Sequence, residues 1–157
     1  MKKLFLLMLF TVLTLNSCSQ DDETIKTDED YLEGTWTIKK TITYNYLNGE
    51  LEAIKESNLE EPYPTLTFTS NNEVTYSNPD FENLITGNWD LDEKNLKTDL
   101  KIDLSSSSGY GTINFFPENI ITSISETDLI LKSPMSIERT SLNGDKLKYY
   151  TKTFLEK

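Results

Sequence analysis

The run Gly34-Thr35-Trp36-Thr37-Ile38-Lys39-Lys40-Thr41-Ile42-Thr43-Tyr44-Asn45-Tyr46 constrains the chain more than any other stretch. Trp36, Ile38, Ile42, Tyr44 and Tyr46 share one parity, and Thr35, Thr37, Lys39, Thr41, Thr43 and Asn45 share the other. A period of two built from β-branched and aromatic residues specifies a strand with one buried and one wet face. Lys40 falls on the apolar parity, and two geometries accommodate it. Its ammonium either points inward, where it would anchor a carboxylate or sulfate head group, or a β-bulge at Lys39-Lys40 turns both lysines outward and avoids an uncompensated buried charge.

The rest of the chain repeats the theme. Asn48-Gly49 is a strong hairpin signal. Leu51 to Glu61 reads either as a return strand or as a surface helical turn, and Pro62 and Pro64 end it. Thr65–Thr69 and Glu73–Tyr76 flank Ser70-Asn71-Asn72, and a turn at Asn78-Pro79-Asp80 leads to a second Gly-x-Trp at Gly87 and Trp89. Leu96, Thr98, Leu100, Ile102 and Leu104 then alternate with Lys97, Asp99, Lys101 and Asp103, whose charges suit a solvated outer face. Ser105 to Gly111 reads as a flexible loop and the best candidate for a mobile lip. Strands are expected at Thr112–Phe116, Asn119–Ile124 and Asp128–Lys132, and a last hairpin pairs Ile137–Ser141 with Lys146–Leu155 around Asn143-Gly144-Asp145. Short strands joined by tight turns predict an all-β fold: an antiparallel up-and-down β-barrel of about eight strands, with a β-sandwich as the alternative. A hydrophobic content of 36% suits a sheet that shows half of each strand to water, and 157 residues make one domain, residues 31–157.

The N-terminus has a different character. Lys2 and Lys3 precede an apolar run from Leu4 to Leu15, too short to remain as a spanning helix and suited to a signal peptide, residues 1–17. Residues 18–30 are polar and acidic and read as a flexible tether. Loss of Lys2 and Lys3 with the leader would take the net charge from −11 to −13.

Composition removes several chemistries. The chain has no His, one Cys at position 18, and one Arg at position 139. Ser-His or Cys-His catalysis, His-liganded zinc and an intrachain disulfide are excluded. Strong acidity argues against nucleic acid, whose phosphates demand a basic face. Asp92 to Asn95 lacks the ligand spacing of a calcium loop, so no metal is expected and no cofactor either. Carboxylate pairs such as Asp90/Asp92 and Glu60/Glu61 lie in or near turns without a surrounding frame, which makes an enzyme the lesser reading.

Leu15-Asn16-Ser17-Cys18 resembles the bacterial lipobox, and Ser19-Gln20-Asp21-Asp22-Glu23 resembles the acidic export signal of Bacteroidetes surface lipoproteins. Followed by Leu32-x-Gly34-x-Trp36, Leu66-Thr67-Phe68, Gly87-x-Trp89-x-Leu91, Ile124-Ser125-x-x-x-Asp128-Leu129-x-Leu131 and Tyr149-Tyr150-Thr151-x-Thr153-Phe154, the whole resembles the lipocalin-like lipoproteins of Bacteroidetes. That resemblance implies lipidation of Cys18 and anchoring in the outer membrane, at the cell surface or alternatively facing the periplasm. It also implies a barrel base in which Gly34 starts the first strand, Trp36 plugs the floor and an Arg packs across the Trp, a part for which Arg139 stands in a plausible place. The competing reading of Arg139 is an unrelated surface residue.

An eight-stranded interior either fills with side chains or holds one small ligand. The candidate contacts for a small hydrophobic or amphiphilic ligand are Trp36, Ile38, Lys40, Ile42, Tyr44, Trp89 and Tyr149. The functional expectation is a non-catalytic surface lipoprotein that binds such a ligand. The alternatives are a structural or protein-interaction module with a filled core, its partner a surface protein, and a carboxylate-based enzyme.

Overall fold

The structure is a computed structural model, and it describes residues 26–80, 84–106 and 109–157. The leader, Cys18 and most of the tether lie outside the described residues.

Among the described residues the fold is all-β and antiparallel, preceded by one short helix, α1 (Asp28–Leu32). Thr27 caps α1 reciprocally: its hydroxyl accepts from the Asp30 N–H, and the Asp30 carboxylate accepts from the Thr27 N–H at 2.7 Å. The last residues of the stretch read as tether are thus helical, because Thr27 and Asp30 have the spacing of a capping box and Leu32 has a core to enter. Leu32 is fully buried.

Twelve strands follow: β1 (Gly34–Leu47), β2 (Glu50–Asn58), β3 (Thr65–Phe68), β4 (Glu73–Ser77), β5 (Ile85–Asp92), β6 (Asn95–Thr98), β7 (Leu100–Ser106), β8 (Gly109–Phe115), β9 (Glu118–Ile124), β10 (Asp128–Lys132), β11 (Arg139–Thr140) and β12 (Lys146–Glu156). Eight of them, β1, β3, β4, β5, β6, β9, β10 and β12, form a ring in chain order, closed by pairing of β12 with β1. Inside such a ring each strand has a partner on both sides, which leaves the sheet's edges to the added strands β2 and β11. The other strands are additions. β2 extends the upper half of β1 as a hairpin, β11 extends the upper half of β12, and β7 with β8 forms a separate two-stranded ribbon between β6 and β9. Leu51 to Asn58 is therefore strand, not helical turn. The Ser105–Gly111 loop is also shorter than expected, since Ser105, Ser106 and Gly109 to Gly111 pair within the β7–β8 ribbon.

Alternation places the core. Trp36 and Ile38 of β1, Leu66 and Phe68 of β3, Val74 and Tyr76 of β4, Leu96 of β6, Leu129 and Leu131 of β10 and Leu155 of β12 all turn into the ring. Trp89 packs edge-on against Phe68, with centroids 5.9 Å apart, and its indole N–H donates to the Thr69 carbonyl at 3.1 Å. Burying side chains of this size contributes about 1.5–3 kcal/mol each. The filled half of the ring lies at the α1 end.

The register of β1 against β12 slips between Ile38 and Lys40: Ile38 faces Leu155, Lys40 faces Phe154, and Lys39 has no partner. This is the bulge foreseen as one of two geometries, and it reverses the parity of everything after it. Lys40, Ile42, Tyr44 and Tyr46 face outward, and Thr41 takes the inward side.

Candidate functional site

The parity switch decides what lines the open half of the ring. Below the bulge, β1 presents Trp36 and Ile38 to a packed interior; above it the inward positions are hydroxyls. On β12 the inward set is Tyr149, Thr151, Thr153 and Leu155, which grades from exposed to buried down the strand. Small polar side chains cannot fill the bore that Trp and Leu fill below. A cavity of about 660 Å³ opens there, above a floor made by Ile38, Tyr76, Asn119 and Thr153, each less than a tenth exposed.

Three irregular segments complete the wall. Leu59 and Pro64, from the connection after β2, are fixed by backbone bonds: Leu59 N–H to the Lys39 carbonyl at 2.9 Å, and Ile38 N–H to the Pro64 carbonyl at 2.9 Å. The bulge itself is thereby tied to the cavity wall. Phe116, at the turn into β9, holds a left-handed backbone (φ +52°) that a bulky residue seldom adopts. Its carbonyl accepts from Thr98 Oγ1 at 2.8 Å and from Asn119 Nδ2 at 3.2 Å, and its ring tilts against Tyr76 with centroids 6.1 Å apart. Held strain of this kind concentrates at binding sites.

The third segment, Ser133 to Ile137, mimics a strand. Ser133 N–H donates to the Thr151 carbonyl at 2.8 Å while Thr151 N–H donates to Ser133 Oγ at 2.9 Å. Ser136 repeats the arrangement with Tyr149, at 2.7 and 2.8 Å. The two serine side chains replace carbonyls of a ladder, so Pro134 and Met135 can arch between them over the cavity. Met135 is half exposed and Ile137 almost fully so.

The lining is mostly apolar, with Thr, Ser and Asn groups interspersed. Among the described residues that line it, none is Lys or Arg, and Glu118 is the one carboxylate. Burial pushes the Tyr76 hydroxyl above its ordinary value, outweighing the opposing pull of the hydrogen bond that Asn78 Nδ2 donates to it at 3.1 Å, so it stays neutral at physiological pH. The site can enclose an apolar body and satisfy hydroxyl or carbonyl groups.

The expected contact residues separate into three places. Ile38 and Tyr149 line the cavity, on the floor and at the rim. Trp36 and Trp89 are in the packed core beneath it. Lys40, Ile42 and Tyr44 are on the outside of the ring. The Lys40 ammonium lies 3.5 Å from the Glu56 carboxylate and 4.8 Å from the centroid of Phe154, so the expected anchor for an anionic head group is not in the cavity. The bulge, by adding one residue, put it outside.

The expected partner of Trp36 is also corrected. Arg139 is exposed on β11, opposite Leu147, at the far end of β12. The cation over Trp36 is Lys157, 4.5 Å from the ring centroid, while the indole N–H donates to the Leu32 carbonyl at 2.6 Å. Gly34 has a backbone (φ +117°) that suits glycine, and a Cβ there would meet Lys157 Cε at 3.1 Å.

Sequence reasoning missed Thr41, Thr151, Thr153, Asn119 and the Ser133–Ile137 arch. A signal existed in the pair Lys39-Lys40, since accepting the bulge there moves Thr41 inward, and the threonines of β12 opposite then face the same space. Compared with protein-family models, with curated proteins and with solved structures, the chain finds no match in any of the three.

Proposed function

We propose that the chain is a small-ligand binding protein whose ring is an up-and-down barrel of the lipocalin-like kind, held to the outer membrane by acylated Cys18. The observation that carries the binding reading is the cavity of about 660 Å³ above a solid core. That volume lies within the range of about 300–1,000 Å³ usual for small-molecule sites. Its lining narrows the ligand to a neutral, largely apolar molecule with a few hydroxyl or carbonyl groups, because an anionic head group would find no ammonium there. The lone Glu118 carboxylate has no second acid beside it in the lining, which favours binding over carboxylate-based hydrolysis. Support for the barrel reading is the closure of eight antiparallel strands, taken in chain order, with Trp36 at one end.

Titration with the neutral dye Nile red, with native mass spectrometry of the purified protein, tests the binding. Saturable one-to-one binding is expected, and Thr151→Phe, which fills the bore from β12, abolishes it without unfolding the chain. Failure of neutral lipids, sterols and Nile red alike to bind would leave the filled interaction module as the better reading. The anchor is tested separately: Cys18→Ala abolishes incorporation of labelled palmitate and releases the protein from membranes.

A further inference from the structure

The outer face of the ring carries an arrangement that cavity binding does not use. Lys132 of β10 and Lys152 of β12 are direct cross-strand partners. Like charges placed opposite each other destabilise a sheet, and this chain, at net charge −11, has ample carboxylates to separate them. Yet among the described residues neither ammonium is in an ion pair. Both lean on rings instead. Lys132 Nζ is 4.7 Å from the centroid of Tyr150, and Lys152 Nζ is 5.8 Å from that of Tyr44. The two tyrosines stack on each other with centroids 4.7 Å apart and planes 13° from parallel. The cations are thus held in place with no counter-charge.

We propose that this outer face of β1, β10 and β12 docks on an anionic lipid bilayer, with Lys132 and Lys152 meeting the phosphates. The same face carries the opposed carboxylates Asp128 and Glu156, but these lie four residues along β10 and β12, about 13 Å from the lysine pair, at the α1 end. Charge complementarity therefore selects an anionic surface at the lysine end, and the carboxylates tilt the α1 end away from it. A bilayer fits better than an anionic polysaccharide for two reasons. Tyr44 and Tyr150 stack on each other, each with an ammonium beside it, which leaves little ring face for a sugar. In addition, Ile54 lies opposite Tyr44 and is more than half exposed, an apolar group that a lipid interface rewards. The docking does not require acylation: an anchor would hold the chain at a membrane, and the lysine face would decide how it lies there.

The test measures partition of the full-length chain, carrying Cys18→Ala to remove any acyl contribution, onto vesicles of phosphatidylcholine with zero or 30% phosphatidylglycerol. Any affinity of the leader for lipid is common to all variants. Partition is expected to rise with phosphatidylglycerol and to fall in 0.5 M salt. K132Q/K152Q is expected to lower it on the anionic vesicles by roughly 25-fold, from about fivefold per lysine, while K97Q/K101Q, which removes the same charge from β6 and β7, changes it less than threefold. Relief of the like-charge pair keeps K132Q/K152Q folded, as its near-ultraviolet dichroism will show, and K152Q alone provides a second variant. The proposal is overturned if both double variants partition alike, or if wild type binds soluble dextran sulfate but not the anionic vesicles.

Discussion

The ammonium of Lys157 stands 4.5 Å above the ring of Trp36 and donates to the Tyr31 carbonyl at 2.7 Å. Because the Trp36 indole donates to the Leu32 carbonyl at 2.6 Å, one small region joins the C-terminal residue, the helix α1 and the first strand. The floor of the ring is therefore sealed by groups from both ends of the folded chain, and the seal depends on ring closure through β12 and β1. Burial and, next, the like charge of nearby Lys26 lower the Lys157 ammonium from its ordinary value.

Lys157→Ala should lower stability by about 0.5–1 kcal/mol, the worth of a cation–π contact at a partly open site. It should also shift Trp emission, because the indole loses its neighbouring charge. Arg139→Ala, on exposed β11, should change stability by no more than about 0.5 kcal/mol. Urea unfolding of the two variants checks the assignment, which is reversed if Arg139→Ala proves the costlier.

Gly87→Ala should cost roughly 1–3 kcal/mol. A Cβ at position 87 would lie 2.6 Å from the Asp99 carboxylate and 2.9 Å from both the Asp99 carbonyl carbon and the Leu100 nitrogen. Two of these are backbone atoms at the entry to β7, fixed by the bond from Asp99 N–H to the Asn88 carbonyl at 3.1 Å, so the contact cannot be relieved by turning a side chain. Gly49→Ala is the contrast: a Cβ there meets nothing within 4 Å, and its cost comes from the backbone alone, at φ +91°. Thermal melting of the two variants separates steric from conformational cost.

Much of this was legible in the sequence. Trp36, Ile38, Leu96, Thr98 and Leu100 alternate with less buried neighbours and are buried where that alternation puts them. Asn48-Gly49 does join β1 to β2. What stayed hidden has physical causes. A bulge at Lys39-Lys40 was legible as one of two geometries, but composition alone leaves the choice between them open, and with it the parity of every later residue of β1. Thr41, Thr151 and Thr153 resemble a wet face, and they are inward because the bulge and the pairing of β1 with β12 put them there. Ser105 to Gly111 has loop composition, but strand pairing across β7 and β8 overrides weak local preference. Lys157 is 121 positions from Trp36 and reaches it only through closure of the ring, so residue type alone pointed to Arg139 instead.

Asp30→Asn should destabilise the chain at neutral pH and lose that effect in acid. The Thr27 backbone N–H and then its hydroxyl bind the ionised Asp30 carboxyl, holding it below its ordinary value of 3.8. Because the folded value is the lower one, the unfolded chain takes up the proton first as pH falls. The contribution is therefore complete above about pH 5 and is lost as pH falls through 3.8 and then the depressed folded value. Unfolding midpoints of wild type and Asp30→Asn should differ at pH 6 and draw together as pH falls through 3.8 and below. A gap that stays constant across that range would mean that the capping box contributes nothing through charge.

Deletion of Lys39 should be tolerated, whereas deletion of both Lys39 and Lys40 should close the cavity. Lys39 has no partner on β12, and its neighbours Ile38 and Lys40 face the consecutive residues Leu155 and Phe154. Lys39→Ala removes one ammonium from 3.8 Å above the Tyr63 ring and leaves the bulge intact, at a cost of about 0.5–1 kcal/mol. Deleting the residue joins Ile38 directly to Lys40, so plain alternation keeps Ile38 inward, Lys40 outward and Thr41 inward. What is lost besides the ring contact is the bond from Leu59 N–H to the Lys39 carbonyl at 2.9 Å, for a total of roughly 1–2.5 kcal/mol. Nile red binding should survive. Deleting Lys40 as well places Thr41 next to Ile38, and that change of one residue turns every later side chain of β1 to the opposite face. Ile42 and Tyr44 would crowd the bore and Thr41 would meet water. The double deletion should therefore lose dye binding and melt roughly 10 °C below wild type, at about 3 kcal/mol lost. If the single deletion loses dye binding while the double deletion keeps it, the parity of β1 is not what opens the cavity.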